Sequence, residues 1–314
     1  MDGLLLVDKP RHWTSHDVVA HTRALLSIRK AGHFGTLDPM ATGLIIIALG
    51  HTTRLFPFYS KRDKTYTGRI RLGLATDTYD AEGKPISTSC DEFPDSSRLR
   101  AVMSGFEGDI DQVPPPYSAK KLNGKPLYAM ARADHPVSLP PCRIRVHRFR
   151  MTDYQPPDLD FETSCSSGTY IRSLAHDLGK DLGCGAHLSE LRRTEIGEFH
   201  LDEAHDMDAL KRYNEAGRIP EIIIPLENLL PEFPKIILNE TGSQRAGNGN
   251  LILPEHIIKI FPPHLKGRRP QAVGAGETFR LFSEQGQLFA FGKRAQDHQA
   301  LHPFLVMAPE NDIQ

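Results

Sequence analysis

The sequence is poor in cysteine, has a single tryptophan, carries almost no net charge and contains no long apolar run. Its four cysteines, Cys90, Cys142, Cys165 and Cys184, are widely spaced and form no Cys-x-x-Cys pair, which argues against a zinc site and against a disulfide framework. No stretch reaches the apolar length needed to span a bilayer. The opening Met1-Asp2-Gly3-Leu4-Leu5-Leu6-Val7-Asp8 lacks the basic region and long apolar core of a signal peptide. No membrane association and a cytoplasmic location are therefore expected. With 38 Lys and Arg against 39 Asp and Glu, the formal charge is -1, so any phosphate-binding surface must be local. Candidate basic clusters are Lys61, Arg62 and Lys64; Lys120, Lys121 and Lys125; Arg143, Arg145, Arg148 and Arg150; Arg192 and Arg193; and Lys266, Arg268 and Arg269. Each alone reads more readily as a solvated face than as a binding site.

What is present is an ordinary folded composition, 39% hydrophobic and 25% charged over 314 residues, enough chain for two domains. Leu4 to Val7 reads as a short buried strand, Lys9-Pro10 as a stop, and Ser15 as the cap of a helix with Val18, Val19, Leu25 and Leu26 on one face. From Thr65 to Leu74 the pattern alternates: Tyr66, Ile70, Leu72 and Leu74 fall on one face, Thr65, Thr67, Arg69 and Arg71 on the other. Helices are expected at Asp95 to Gly105, Leu127 to Arg132, Thr169 to Leu182 and Met207 to Glu215, and strands at Arg143 to Met151, Leu159 to Cys165 and His187 to Thr194. This order is α+β, without regular βαβ repetition.

Prolines at Val113-Pro114-Pro115-Pro116 and Pro140-Pro141 bracket a basic insert at about 112–141. So long an excursion between strands suggests a functional arm or a lid over a substrate. A second boundary is expected near Pro231 to Pro234, dividing the chain into 1–231 and 232–314. Strand-like runs at Leu251 to Leu253, Ile257 to Ile260, Thr278 to Phe282, Leu288 to Phe291 and Leu301 to Met307 fit a small β-barrel.

The densest motif is Gly32-His33-Phe34-Gly35-Thr36-Leu37-Asp38-Pro39-Met40-Ala41-Thr42-Gly43, which sets one acid in a glycine-bracketed turn ahead of the apolar run Leu44 to Leu49. From the residues alone, Asp38 reads as a helix N-cap with Pro39 at the first helical position. Likewise Tyr66 reads as a core aromatic, Thr169 as a helix cap and Arg172 as a surface cation. Asp38 acquires a chemical reading from other segments in order: Asp8-Lys9-Pro10 with Thr14-Ser15; Lys64-Thr65-Tyr66; Thr76-Asp77-Thr78-Tyr79-Asp80-Ala81-Glu82-Gly83; Gly168-Thr169-Tyr170-Ile171-Arg172; Gly183-Cys184-Gly185-Ala186-His187-Leu188; and Leu191-Arg192-Arg193. Together they resemble the TruB-type tRNA pseudouridine synthases over nearly the whole chain.

The resemblance implies a mixed, mainly antiparallel sheet of the pseudouridine synthase type with flanking helices. It also implies a C-terminal PUA-like RNA-binding barrel, suggested by Val273-Gly274-Ala275-Gly276 and the Lys266 to Arg269 loop. It implies catalysis by Asp38 as nucleophile, Arg172 as its charge partner and Tyr66 as the aromatic that stacks on the target ring and takes part in removal of the C5 proton. His33 is implied to fill the space left by a flipped uridine. Tyr170 and Leu191 are implied as lining residues, with Lys9 and Lys64 also among the substrate-binding residues. The reaction breaks N1 from C1′ and joins C5 to C1′ with no net oxidation or hydrolysis, so no cofactor or metal is expected. It needs an ionised carboxylate with an opposite charge close by. The implied substrate is the T-stem-loop of tRNA at uridine 55, and the implied enzyme a stand-alone bacterial monomer. The segments Tyr117-Ser118-Ala119-Lys120 and Leu122-Asn123-Gly124-Lys125-Pro126-Leu127-Tyr128 favour that type over a guide-RNA-dependent synthase. A non-catalytic tRNA folding chaperone is a further alternative, and a glycosidase is disfavoured because it needs two paired acids. Two positions depart from the family pattern: Phe34 replaces a small hydroxyl residue, and His12 a glycine.

Overall fold

The computed structural model describes residues 1–116, 140–264, 278–295 and 300–307, with the backbone of the short strands at 121–122 and 125–126. Most of the proposed insert, including Tyr117 to Lys120, Tyr128 and the expected helix Leu127 to Arg132, lies outside the described residues. So do the Lys266 to Arg269 loop and the Val273 to Gly276 turn.

Strand β1 (Gly3–Lys9) pairs antiparallel with β3 (Thr42–Leu49), whose sequence is TGLIIIAL. Both are continuous apolar runs because both faces are covered, the pattern of a strand buried on two sides. Leu4, Leu6, Leu44, Ile46 and Ala48 enter one core, while Leu5, Val7, Ile45, Ile47 and Leu49 enter another. Helix α1 (Ser15–Leu26) intervenes, and its cap is Thr14, not Ser15. Thr14 Oγ1 accepts from the Asp17 amide at 3.0 Å and the Asp17 carboxylate accepts from the Thr14 amide at 2.8 Å, a reciprocal box that Ser15 cannot make. Ser15 Oγ is turned instead to Leu37, accepting from its amide (2.8 Å) and donating to its carbonyl (3.2 Å). A helix start is thereby tied to the residue before Asp38.

The main sheet also contains β2 (Ala31–His33), β4 (Lys64–Leu72), β5 (Gly108–Gln112), β8 (Cys142–Gln155), β9 (Asp158–Cys165), β10 (Ala186–Ile196), β11 (Phe199–His200) and β12 (Ile223–Pro225). The short pair β6 (Lys121–Leu122) and β7 (Lys125–Pro126) stands apart. The order is β12-β1-β3-β10-β4-β9-β8-β5, with β2 on β3 and β11 on β10. Every pairing is antiparallel except β3 with β10, which is parallel at Thr42–Gly43 against Arg192–Arg193. The sheet is therefore mixed and mainly antiparallel, as expected. Helix α3 (Ser96–Ser104) lies where a helix was expected, whereas the single-turn helix α2 (Phe56–Tyr59) was not expected. α4 (Ile171–Leu182) packs with α3 against β4, β8, β9 and β10 through Leu99, Met103, Leu174, Leu178, Phe161 and Leu188.

The parallel contact brings β3 and β10 unusually close at Gly43. Its φ is +102°, and a Cβ there would sit 2.3 Å from the carbonyl oxygen and 2.7 Å from the amide nitrogen of Arg193. Gly43→Ala is expected to destabilise by roughly 3 kcal/mol or more, since strain and a backbone clash add. A fall in the urea midpoint at constant m-value would register it.

Beyond α5 (Met207–Glu215), a second sheet has the order β14 (Ile257–Phe261), β13 (Lys235–Leu238), β15 (Thr278–Ser283), β16 (Leu288–Arg294), β17 (Leu301–Val306). Among the described residues this sheet is open, and no closed barrel is formed by them. Its two faces are covered differently. Leu281, Ala290, Ile236 and Leu238 pack with Ala246 of α6 (Glu240–Gly247), while Phe282, Leu288, Phe291 and Met307 join the core that holds Leu4, Leu44, Tyr59 and Phe233. Leu251 to Leu253 forms no strand and contributes one bridge, Ile252 to Leu301. Among the described residues no helix is long and apolar enough to cross a membrane.

Candidate active site

Asp38 begins no helix. It lies in the loop between β2 and β3, followed by a turn in which the Ala41 amide donates to its carbonyl at 3.1 Å. Three buried groups hold this loop from beneath. Ser15 clasps Leu37, as described. Lys9, wholly buried at the end of β1, donates from Nζ to the carbonyls of Trp13 (2.7 Å), Pro10 (2.9 Å) and Pro39 (3.4 Å). Burial pushes its pKa down to about 8. Arg193, also wholly buried, donates to the carbonyls of Leu44 (2.7 Å), Gly35 (3.2 Å) and Thr36 (3.3 Å).

Arg172 approaches the opposite side from the first turn of α4. Its Nε lies 2.9 Å from Asp38 Oδ2, and Nη2 donates to Oδ1 at 3.3 Å, a fork on both carboxylate oxygens. The remaining nitrogen, Nη1, donates to the Thr78 carbonyl (3.1 Å) and to Asp80 Oδ2 (3.3 Å). Asp80 is fixed in turn, accepting at Oδ1 from Thr78 Oγ1 (2.6 Å) and the Glu82 amide (3.1 Å). The side chains of Arg172 and Asp80 are 8% and 7% exposed, whereas that of Asp38 is 36% exposed. The cluster therefore presents one carboxylate outward from a buried guanidinium.

Tyr66 on β4 is buried in the same core as Leu37, Met40, Ala41, Ile171 and Leu191. Burial pushes its phenol up to about 12, and a hydrogen bond with Arg193 opposes that shift. Tyr170 precedes α4, half-buried, its amide donating to Gln112 Oε1 (2.8 Å) and its carbonyl accepting from Gln112 Nε2 (3.0 Å). Thr169 does not cap the helix; its hydroxyl donates to the Ser166 carbonyl at 2.9 Å. His33 ends β2, five residues before Asp38, with its pKa lowered by burial. Lys64 turns its Nζ to the carbonyls of Arg62 (2.7 Å) and Ser60 (3.2 Å), and burial lowers it to about 8. Asp38, Arg172, Tyr66 and Leu191 are thus brought together, whereas Lys9 and Lys64 serve backbone carbonyls.

Two members of this constellation were not singled out from the sequence, Asp80 and Arg193. A buried arginine facing one acid needs further acceptors, and the Thr76 to Gly83 motif offered three carboxylates, Asp77, Asp80 and Glu82, without a signal that singles out Asp80. Arg193 shares the period-2 face of Leu191, which marks it as inward. Arg193→Met, which removes three donors to buried carbonyls, is expected to cost about 3 kcal/mol in chemical denaturation.

Among the described residues, several arginines of the basic clusters read from the sequence are paired with acids, as are Arg69 and Arg71. Across β5, β8, β9 and β4, Arg143 pairs with Asp111 (3.2 Å), Arg145 with Asp109 (3.7 Å), Arg148 with Glu162, Arg69 with Asp160 (2.6 Å) and Arg71 with Asp158 (3.3 Å). Arg192 is bound to Asp8 (2.7 Å). Such exposed pairs add little stability, but they leave that sheet face without a net positive stripe. The family departures also find their places: His12 has φ +67°, where glycine is unstrained, and Phe34 is buried, stacked on Tyr59 with ring centroids 5.4 Å apart. Among the described residues no cluster of three or more His, Cys, Asp or Glu could hold a metal ion.

Comparison with known proteins bears on this geometry. The model of the TruB family pseudouridylate synthase N-terminal domain matches residues 23–171, and that of the tRNA pseudouridylate synthase B C-terminal domain matches residues 172–231. The tRNA pseudouridine synthase B of Solibacter usitatus is 41% identical over 307 residues, covering 98% of this chain and all of that protein. That of Opitutus terrae is 47% identical over 234 residues, 74% of this chain and 95% of that protein. Among solved structures, a chain of the archaeal box H/ACA sRNP Nop10-Cbf5 complex superposes with a TM-score of 0.70 at 26% identity, covering 98% of this chain and 87% of that one. A chain of an H/ACA RNP bound to a substrate RNA containing 2'-deoxyuridine superposes with the same TM-score at 25% identity, covering 98% and 86%.

Proposed function

The chain belongs to the TruB family of pseudouridylate synthases, isomerases that act on tRNA, and we propose that it converts uridine 55 of the T-loop to pseudouridine with Asp38 as nucleophile. The observation that carries this reading is the fork of Arg172 on Asp38: a carboxylate oriented through both oxygens, backed by a buried cation and open to solvent on its other side.

A T-loop uridine is stacked and must be extracted before the carboxylate reaches it, and His33, which ends β2 five residues before Asp38, is the residue proposed to fill the gap. With Asp38 as nucleophile, the C1′–N1 bond breaks, the uracil turns and the C1′–C5 bond forms in its place; Asp38 is released again as a free carboxylate, C5 loses its proton and N1 gains one, so the base is isomerised with no net oxidation or hydrolysis. Tyr66 and Leu191, which share one core, are proposed as the apolar wall against which the ring turns, with Tyr170 as a further lining residue. Tyr66 is a neutral phenol in the free protein, and Arg193 at its oxygen is the group that stabilises any negative charge developing there as the proton is taken. No step calls for a cofactor.

The insert at about 112–141 and residues 232–314, read as a PUA-like unit, are the proposed arms for the T-stem, recognised by shape and phosphate contacts. We read the protein as a cytoplasmic monomer that acts without a guide. Its similarity to proteins named tRNA pseudouridine synthase B, at 41% and 47% identity, exceeds its 26% identity to the guide-complex chain.

Tritium release from a tRNA transcript labelled at uridine C5 tests the proposal, with this protein as the sole added component. Release close to one equivalent from the wild-type transcript, and no release once uridine 55 is replaced by cytidine, is expected. Release only after addition of a second RNA would indicate the guided type, and binding without release a chaperone.

A further inference from the structure

Thr78 and Asp80, which give Arg172 two of its acceptors, flank a residue in a strained conformation. Tyr79 has φ +65°, a region that side chains other than glycine, asparagine and aspartate rarely occupy and that persists only where the surroundings impose it. What lies against Tyr79 is His176: the rings are stacked with centroids 3.8 Å apart and planes at 14°. His176 is four residues after Arg172 on α4, so the two side chains leave the same face of the helix one turn apart.

The histidine ring has little else to hold it. Its buried Nδ1 makes no hydrogen bond among the described residues, and burial keeps its pKa below the usual histidine value, so it meets Tyr79 as a neutral flat surface. The Tyr79 backbone is tied on both sides, its amide donating to the Thr76 carbonyl (3.2 Å) and its carbonyl accepting from the Leu188 amide (3.0 Å). The turn and the helix are thus joined at two neighbouring points, one ionic at Arg172 and one aromatic at His176.

We propose that the Tyr79–His176 stack is a latch that clamps the 76–83 turn onto α4 and thereby positions Thr78 and Asp80 against Arg172, so that both aromatic residues are positioning residues for the reaction. The inference rests on the reading of Asp38 and Arg172 as the reacting pair. Leu188 on β10 ties the Tyr79 carbonyl and the Ala81 amide (both 3.0 Å) but touches neither Thr78 nor Arg172. Without the stack the side of the turn that faces α4 is held by Arg172 alone, so the third contact of the guanidinium loosens and its fork on Asp38 loses its fixed angle. Displacements of this size act on kcat more than on affinity for the RNA.

Glycine at position 79 separates the latch from mere tolerance of strain, because it relieves the positive φ while removing the ring. Steady-state tritium release would be compared for wild type, Tyr79→Gly, Tyr79→Phe, His176→Ala, His176→Phe and the Tyr79→Gly/His176→Ala double variant, with tRNA filter binding and thermal unfolding alongside. Tyr79→Gly and His176→Ala are each expected to lower kcat about 10-fold with KM unchanged, and the double variant to be no worse than either single one. The two phenylalanine variants should stay within about 2-fold of wild type, since they keep the stacked faces. Wild-type kcat in Tyr79→Gly, multiplicative losses in the double variant, or a loss confined to KM would overturn the latch. Asp38→Asn runs in the same series: turnover surviving there would instead overturn the reading of the reacting pair, whatever the aromatic variants do.

Discussion

Asp38→Asn is expected to lower kcat for pseudouridine formation by at least about 10⁴-fold while tRNA affinity stays within about 3-fold of wild type. Asparagine has the shape of aspartate, so Ser15, Lys9 and Arg193 still hold the loop from below. Arg172 keeps Asp80 and the Thr78 carbonyl, so no buried charge is left alone and the fold should survive. What is lost is a nucleophile, which an amide cannot replace. Single-turnover tritium release with filter binding separates the two effects, and residual turnover within 10-fold of wild type would remove Asp38 from the chemistry.

The elements that lead to Asp38 and Arg172 were legible because they are long and periodic. The alternation of β4 and the helical stripes of α3, α4 and α5 are visible in the sequence, and their ends moved by only a few residues. Some of the short elements were not. β13 is four residues, Lys-Ile-Ile-Leu, too few for a period to show, and α6 contains two glycines and no apolar stripe. What covers the second sheet was hidden for a related reason. A row of short strands implies that both faces of a sheet must be covered, but it does not reveal that α6 and the Tyr59–Phe233 core do the covering.

Charged residues were harder to place than apolar ones. Arg193 was read with Arg192 as a surface pair, yet it is wholly buried while Arg192 is bound to Asp8. Arginine carries no local signal that separates a carbonyl-binding core residue from a phosphate clamp, and only the strand period of its neighbours does so. The same limit made Arg143, Arg145 and Arg148 look like a basic patch, because their acidic partners lie on other strands. Asp38 itself, read alone, had a helix-start interpretation that its surroundings exclude. Its grouping with Arg172, 134 positions later, came from family resemblance and not from any periodicity.

Arg172→Lys should cost about 10² to 10³-fold in kcat with little change in stability, and Arg172→Ala should cost at least as much activity together with roughly 3–5 kcal/mol of stability. The difference follows from what the guanidinium joins. Its fork reaches both oxygens of Asp38 while a third nitrogen reaches Asp80 and Thr78, four acceptors fixed by one planar group. A lysine ammonium supplies the charge that keeps Asp80 from being buried alone, but as a single point it cannot hold Asp38 at a fixed angle while also facing Asp80. Alanine removes the charge as well, leaving two carboxylates converging on an empty centre, one of them almost wholly buried. Adding Asp80→Asn to Arg172→Ala should therefore recover part of the lost stability and none of the lost turnover. Urea unfolding paired with single-turnover tritium release on the four proteins resolves the pattern, and wild-type kcat in Arg172→Lys would show that the cation acts only through its charge.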